Sequence, residues 1–280
     1  MRFNWLIKTL ILLALSALVF GGGAWFGYQI LVKPNQVPVE ELANGKPLPP
    51  PDPSLPEFEK VMEIKNAHKP VEAREALERF VENYPFSTKL GEARKALGEV
   101  NTDIFFSAIP APEKTRYEVR PGDALAKIER KFKITGELIM RCNNLDDPKR
   151  LRVGQVLMVS HPEFTVIVDR KEHTVTLFNK GKFFKQYTAV NWNAPAVKKG
   201  MEKIVVPAKV GKKSSWYNGA QVGFGSKEYA GAARWVELTA KGHTLYTEGG
   251  QKPPAGIGMN PEDMEELATL LEKGIPVTIK

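Results

Sequence analysis

One stretch constrains this chain more tightly than any other: Tyr117 to Val159 prescribes a complete small unit, element by element. Tyr117 and Val119 alternate as one face of a short strand, and Pro121-Gly122-Asp123 is a turn. Asp123 stands where an N-cap belongs, before the helical spacing Leu125, Ile128 and Phe132. Leu138, Ile139 and Cys142 mark a second helix that ends at Asn143-Asn144. Val153, Val156 and Met158, beside a turn at Gly154, read as the return strand. Strand, helix, helix, strand in about 45 residues buries little core of its own, which suits a module that binds something.

The opening aromatic-x-Val-x-x-Gly-Asp-x-Leu, an Ile in the first helix, an Asn-rich end to the second and the Gly154-Gln155 closing turn together resemble the LysM domain. That family binds N-acetylglucosamine-containing glycans such as peptidoglycan and chitin. The resemblance implies a βααβ module over 115–161 whose sugar groove lies between two loops. Carried over, these are Gly122, Asp123, Ala124 and Leu125 on one side and Asn143, Asn144 and Leu145 on the other. The family commonly carries Ser or Thr where this chain has Ala124, so a hydroxyl is missing and weaker affinity is expected.

At 280 residues the chain is long enough for two or three small domains. The single cysteine, Cys142, excludes an intramolecular disulfide framework and a cysteine-based metal cluster; it reads as an inert core thiol. A net charge of +8 suits anionic lipid headgroups or the carboxylates of peptidoglycan stem peptides. Charge alone would also admit nucleic acid, but the first thirty residues argue against it.

Arg2 and Lys8 precede an apolar run from Thr9 to Val32, long enough to span a hydrocarbon core of ~30 Å. Trp25, Phe26, Tyr28, Ile30 and Leu31 continue past the only small-residue cleavage candidate, at Gly22 and Ala24. Residues 1–8 are therefore expected to be a cytoplasmic tail and 9–32 an uncleaved transmembrane signal anchor, with everything after it exported. Residues 33–56 hold eight prolines and read as a stalk, roughly 70 Å long if fully extended, or as a plain disordered spacer. Residues 57–108 turn helical. Ala73, Leu77, Phe80, Val81 and Tyr84 recur at helical spacing up to Pro85; Leu90, Ala93, Leu97, Val100 and Ile104 follow. This resembles a tetratricopeptide-like hairpin too short to stand alone, expected to pack on the LysM module or a second copy of itself.

From Phe164 the chain alternates as strands. Phe164–Val168 and Thr174–Phe178 lead into an Asn179-Lys180-Gly181 hairpin and Phe183–Tyr187. Lys203–Val206, Ala233–Leu238 and Leu245-Tyr246 come next, then a helix from Pro261 to Glu272 and the tail Pro276–Ile279. The opening hairpin, Arg234-Trp235 and Met259-Asn260-Pro261 make residues 164–280 resemble the L,D-transpeptidase catalytic domain, a β-rich fold. That family uses a Ser-His-Gly-Cys-x-Arg motif, with a cysteine thiolate activated by histidine. Counted back from Met259, the motif falls on Pro253 to Gly258. Gly256 takes the nucleophile's place, Pro254 the histidine's and Gly258 the arginine's; an upstream His-Gly falls near Tyr246-Thr247. Each position lacks the group its role requires.

Ser214, Ser215, Ser226, His243 and Asp263 lie in the same domain but show no triad pattern. His68, His161, His173 and His243 have no metal-ligand spacing, so neither metal nor cofactor is implied. Trp192, Trp216 and Tyr217, among Lys198, Lys199, Lys212 and Lys213, are a candidate exposed platform for sugar faces and carboxylates.

The reading is a multidomain chain: transmembrane helix, helical hairpin, LysM module and a mainly-β L,D-transpeptidase-like domain without its catalytic motif. It implies a single-pass protein of a bacterial inner membrane, its later domains in the periplasm or on the cell-wall face. Its partners are peptidoglycan, that membrane and a cell-wall enzyme, and its role is structural or regulatory in cell-wall organisation. The alternative is a divergent L,D-transpeptidase or peptidoglycan hydrolase with a non-cysteine nucleophile.

Overall fold

Turn chemistry starts the C-terminal sheet. Lys180 (φ 52°) and Gly181 (φ 76°) both take left-handed backbone, as a two-residue hairpin turn with the right twist requires. They join β4 (Thr174–Asn179) to β5 (Lys182–Asn193). The computed structural model describes residues 52–195 and 205–280. The expected tail, membrane span and stalk as far as residue 51 lie outside them. No helix among the described residues is long and apolar enough to cross a membrane.

In the C-terminal region β3 (Phe164–Asp169) precedes that hairpin. It is followed by β6 (Val206–Tyr217), β7 (Ala220–Val222), a 3-10 turn (Lys227–Gly231), β8 (Ala233–Leu238), β9 (Thr244–Thr247), β10 (Gly256–Met259) and β11 (Pro276–Ile279). The sheet order is β11-β3-β4-β5-β10-β9-β8-β6-β7, and β11 also pairs β6, so the sheet closes on itself. Closure removes most of the unpaired strand edge. One helix, Pro261–Leu270, fills the interior with Met264, Leu267 and Ala268. Its carbonyl end is held by Lys213, whose Nζ donates to the Ala268 and Leu271 oxygens at 2.6 and 2.9 Å. A cation there complements the negative end of the helix dipole. Lys213 thus points inward, and it is not part of an exposed basic platform.

Three helices precede the LysM unit: α1 (Leu55–Asn66), α2 (Pro70–Asn83) and α3 (Leu90–Phe105). Leu77, Phe80, Ala93, Leu97 and Ile104 form their shared core, at the spacing the sequence predicts. Residues 52–56, assigned from sequence to the stalk, belong to this unit. Asp52 accepts hydrogen bonds from the Ser54 and Thr88 backbone N–H groups at 2.9 and 2.8 Å, and Pro56 sits in the first turn of α1. The helices pack chiefly on the C-terminal sheet, with their end against the LysM unit. Asn101 Nδ2 donates to the Phe184 carbonyl at 2.8 Å, and Lys182 pairs with Glu78 at 2.9 Å. Gly98 lets α3 approach β5 closely: a Cβ there would lie 2.9 Å from the Lys185 side chain. Phe105 meets Phe184 edge-on at 4.9 Å.

The LysM unit is βααβ as expected: β1 (Lys114–Glu118), α4 (Leu125–Phe132), α5 (Gly136–Cys142) and β2 (Val156–Ser160), with Tyr117 opposite Leu157. Two local expectations differ. Ala124, not Asp123, is the N-cap of α4, and it has no side chain to cap with; an uncapped end of this kind costs about 0.5–2 kcal/mol. In β2 the buried apolar residues are Leu157 and Val159, while Val156, and Val153 ahead of the strand, are 51% and 65% exposed. Both parities of this strand are apolar, so alternation could not choose a face. Cys142 is buried, as expected, and burial raises its thiol pKa.

The LysM interior does not stop at the module boundary. Tyr117, Ile128, Ile134, Leu138 and Ile139 belong to the same buried cluster as Phe164, Phe184, Met264 and Leu270. A buried polar clamp runs beside it. Arg234, 3% exposed, lies 3.6 Å from the centre of the Tyr229 ring and donates to the Tyr229 carbonyl at 2.8 Å. It also pairs with Glu137 of α5 at 3.4 Å, and Tyr229 Oη donates to the same carboxylate at 2.9 Å. A shared interior predicts shared unfolding. Ile139→Ala in α5 should cost about 2–5 kcal/mol and shift a single denaturation transition that the C-terminal tryptophans report. Separate transitions for the two regions would refute this.

Candidate functional site

The start of the first predicted groove loop is tied to the Gly154-Gln155 turn at one end of the β1–β2 pair, while the second loop, 143–145, is tied to Met158 of β2 through the Asn143 side chain. Val119 N–H donates to the Gln155 carbonyl at 2.9 Å, and Gly154 N–H donates to the Val119 carbonyl at 2.8 Å. In the first loop Gly122 supplies the left-handed turn (φ 80°), and its carbonyl accepts from Lys127 Nζ. Asp123 holds that turn: its Oδ2 accepts from Tyr117 Oη at 2.7 Å and from Arg120 N–H at 2.8 Å. The Tyr117 bond, then the Arg120 bond, draw the Asp123 carboxyl below its usual range, and the same hydroxyl bond raises Tyr117. Ala124 is exposed, and Leu125 is buried in the core.

In the second loop the Asn143 side chain is used internally. It accepts from Met158 N–H at 2.7 Å and donates to the Met158 and Ile139 carbonyls at 2.9 and 2.8 Å, acting as a short extra strand. Asn144 is exposed with left-handed backbone (φ 50°), and Leu145 is half-buried. Of the seven predicted residues, then, Leu125 and Asn143 shape the loops. Asp123 serves its own turn and is half-buried, Leu145 is half-buried, and Gly122, Ala124 and Asn144 are exposed.

The position of the missing catalytic motif is also built from the strands upward. On β10, Gly258 sits between Asn191 of β5 and Tyr246 of β9. Gly256 and Gly258 face one way; Ile257 and Met259 face the core. Tyr246, 2% exposed, covers both glycines. A Cβ on Gly258 would stand 2.5 Å from the Glu248 carboxylate and 3.0 Å from the Tyr246 ring; one on Gly256 would overlap the Thr244 carbonyl oxygen. Burial and a bond to Glu248 push the Tyr246 hydroxyl up to about 12. Lys252, then bonds from Tyr246 and Asn191, hold Glu248 below its usual range. The Tyr246 hydroxyl and the Glu248 carboxylate are thus bonded to one another beside the two glycines. Pro254 is exposed, and its carbonyl accepts from Asn193 at 3.4 Å.

The remaining candidates do not converge. His243 contacts the Lys241 carbonyl through Nδ1, and Ser214 Oγ accepts from Trp216. Among the described residues no hydrogen bond joins Ser214, Ser215 or Ser226 to His243 or Asp263, and no group of side chains could hold a metal ion. Trp192 is half-buried and stacks on His173 at 4.9 Å. Trp216 tilts against Trp235 at 5.2 Å, Tyr217 is 40% exposed, and Lys198 and Lys199 lie outside the described residues. Sequence reading missed the Tyr246–Glu248–Asn191 cluster; the alternating Gly256-x-Gly258 beside a strand tyrosine was its only signal.

Two outcomes follow. Gly256→Ala should destabilise the fold by roughly 1–3 kcal/mol, read from the denaturant midpoint, because the obstructing atom is backbone. Asp123 has a depressed folded pKa, so its stabilisation is present above the usual carboxylate value near 4 and lost as pH falls through the lower folded value. Asp123→Asn should therefore lower the melting temperature at pH ~7, with the gap closing towards pH ~3; a gap that stays constant with pH would contradict this assignment.

Comparison with known proteins agrees with this geometry. The LysM domain family matches residues 117–160. The amidase "N-acetylmuramoyl-L-alanine amidase XlyA" of Bacillus subtilis (strain 168) is 42% identical over 60 residues. That alignment is 21% of this chain and 20% of the amidase, so the chain spans a fifth of that relative's length. The C-terminal region is similar in structure to L,D-transpeptidases. One from Mycobacterium smegmatis is 13% identical, with a TM-score of 0.28 over 46% of this chain and 64% of that one. One from Stackebrandtia nassauensis is 20% identical, at 0.29 over 42% and 55%. A mutant of the Enterococcus faecium enzyme is 13% identical, at 0.29 over 74% and 82%. Overlays at this level carry no argument about chemistry.

Proposed function

We propose that this chain is a membrane-anchored protein that holds peptidoglycan through its LysM groove and does not remodel it. The observation that carries the reading is the LysM unit at 117–160, with Gly122, Ala124 and Asn144 exposed on its two predicted groove loops. The name of the matched amidase, an enzyme of N-acetylmuramoyl-L-alanine, supports a cell-wall setting for such a module. The apolar run 9–32, with Arg2 and Lys8 before it, supports an anchor in the inner membrane with the described domains on its outer side. The two glycines beneath Tyr246 support an inert C-terminal domain, which then serves to position the glycan site or to dock a cell-wall enzyme.

The full-length protein, solubilised in mild detergent, should pellet with purified sacculi and be released by soluble N-acetylglucosamine oligomers. The muropeptide profile of those sacculi should not change. New cross-links or released peptides would instead favour a divergent transpeptidase or hydrolase, and failure to pellet would remove the glycan reading.

A further inference from the structure

Val156 and Met158 of β2 point the same way, and Met158 faces Arg116 of β1 in register. The opposite face, with Tyr117, Leu157 and Val159, supplies the core. Residues of the connector 108–111, between α3 and β1, and the second groove loop at Asn143 and Asn144 together line a cavity of about 610 Å³ that includes Arg116, Val156 and Met158. The connector is held firmly. Lys114 Nζ donates to the Ile104 and Ser107 carbonyls, Lys114 N–H donates to the Ala111 carbonyl at 2.9 Å, and Cys142 Sγ donates to the Ser107 carbonyl at 2.9 Å. Within the cavity Val156 is an apolar strand residue left 51% exposed. Among the described residues the side chains of Arg116 and Asn144 have no hydrogen-bond or ionic partner. Among those same residues two cations, Arg116 and Lys114, line the cavity and no carboxylate does; Glu118, opposite Val156 in register, is exposed and does not line it.

We infer that this cavity receives the carboxylate-bearing peptide branch of peptidoglycan, with Arg116 as its recognition residue, while the sugar lies at the LysM loops; this rests on the LysM groove binding glycan, as proposed above. The unpaired guanidinium offers a planar fork of donors, which a carboxylate meets with two parallel hydrogen bonds. A glycan built only of N-acetylglucosamine carries no such group. Val156 and Met158 form a floor for small aliphatic side chains, and the Asn144 amide suits a peptide carbonyl. The volume exceeds what one carboxylate needs, so a branch of several residues fills it where a lone anion would not. Asn144 belongs both to this cavity and to a predicted sugar loop, so a branch on a sugar held by that loop already stands at the cavity's edge. The site therefore prefers wall polymer to chitin.

Calorimetric titration of the full-length chain in detergent with tetrasaccharides of equal length tests this. The ligands are chitotetraose, a peptide-free peptidoglycan fragment with lactyl carboxylates, and the same fragment bearing stem peptides. The peptide-bearing fragment should bind roughly tenfold tighter than chitotetraose, by a margin that shrinks at high salt. Arg116→Gln, at an exposed position, should abolish that gain and leave affinity for chitotetraose unchanged. Val156→Glu, which sets a charge of the ligand's own sign in the cavity, should do the same. Equal affinity for chitotetraose and the peptide-bearing fragment in the wild type, or a gain that survives in either variant, overturns the peptide site. A full gain with the peptide-free fragment assigns the recognised anion to the lactyl group and also overturns it. If none of the three binds, the LysM groove reading falls together with it; chitotetraose binding with no further gain overturns only this inference.

Discussion

Arg234 brings a guanidinium group into the interior, where it is 3% exposed. With that side chain almost wholly out of water, something must face it, and the answer comes from a different module: Glu137 of α5. Tyr229 closes the arrangement by offering its carbonyl and ring to the cation and its hydroxyl to the carboxylate. Deleting one member of such a pair leaves an uncompensated buried charge, typically worth about 3–5 kcal/mol. That ion pair ties the LysM unit to the β8 strand. The apolar interior on either side of the clamp then runs through both modules without a break.

This changes what the LysM unit is. Forty-odd residues bury too little apolar area to hold two loops rigidly. Here the unit draws on Phe164, Met264 and Leu270 for its floor, and Thr135, the N-cap of α5, also donates to the Thr269 carbonyl. The helical unit adds a second brace, with α3 laid on β5 and Arg74 paired in a buried site with Glu113 at the entry to β1.

In the C-terminal domain the space around Gly256 and Gly258 is taken up by packing. The sheet still places β10 beside β9 and β5, where neighbouring strands converge on the Gly256 position. Tyr246 and Glu248 now fill that space, and the packing around the glycines is as tight as elsewhere in the interior. Accommodating a larger side chain at Gly256 would need concerted change: room for a Cβ beside the Thr244 carbonyl and displacement of the Tyr246 ring. A single substitution provides only one of these.

The sequence by itself determined the elements and their order. Local turn chemistry at Gly122, Lys180-Gly181 and Pro261, and helical spacing from Ala73 to Ile104, depend on neighbours in the chain and so can be read from it. It also specified which functional groups are absent at Pro254, Gly256 and Gly258. Tertiary structure decided the rest. Alternation could not say which face of β2 points inward, because both its parities are apolar. Composition could not say that Lys213 turns inward to a helix end or that Asn143 serves a strand instead of a ligand. The nearness of Gly225 to Pro148, and of Glu137 to Arg234, spans some 75 to 100 positions and exists only because a closed sheet and a shared core bring those loops together. Local propensity carries no information about such distant partners, since their energy appears only when both are in place.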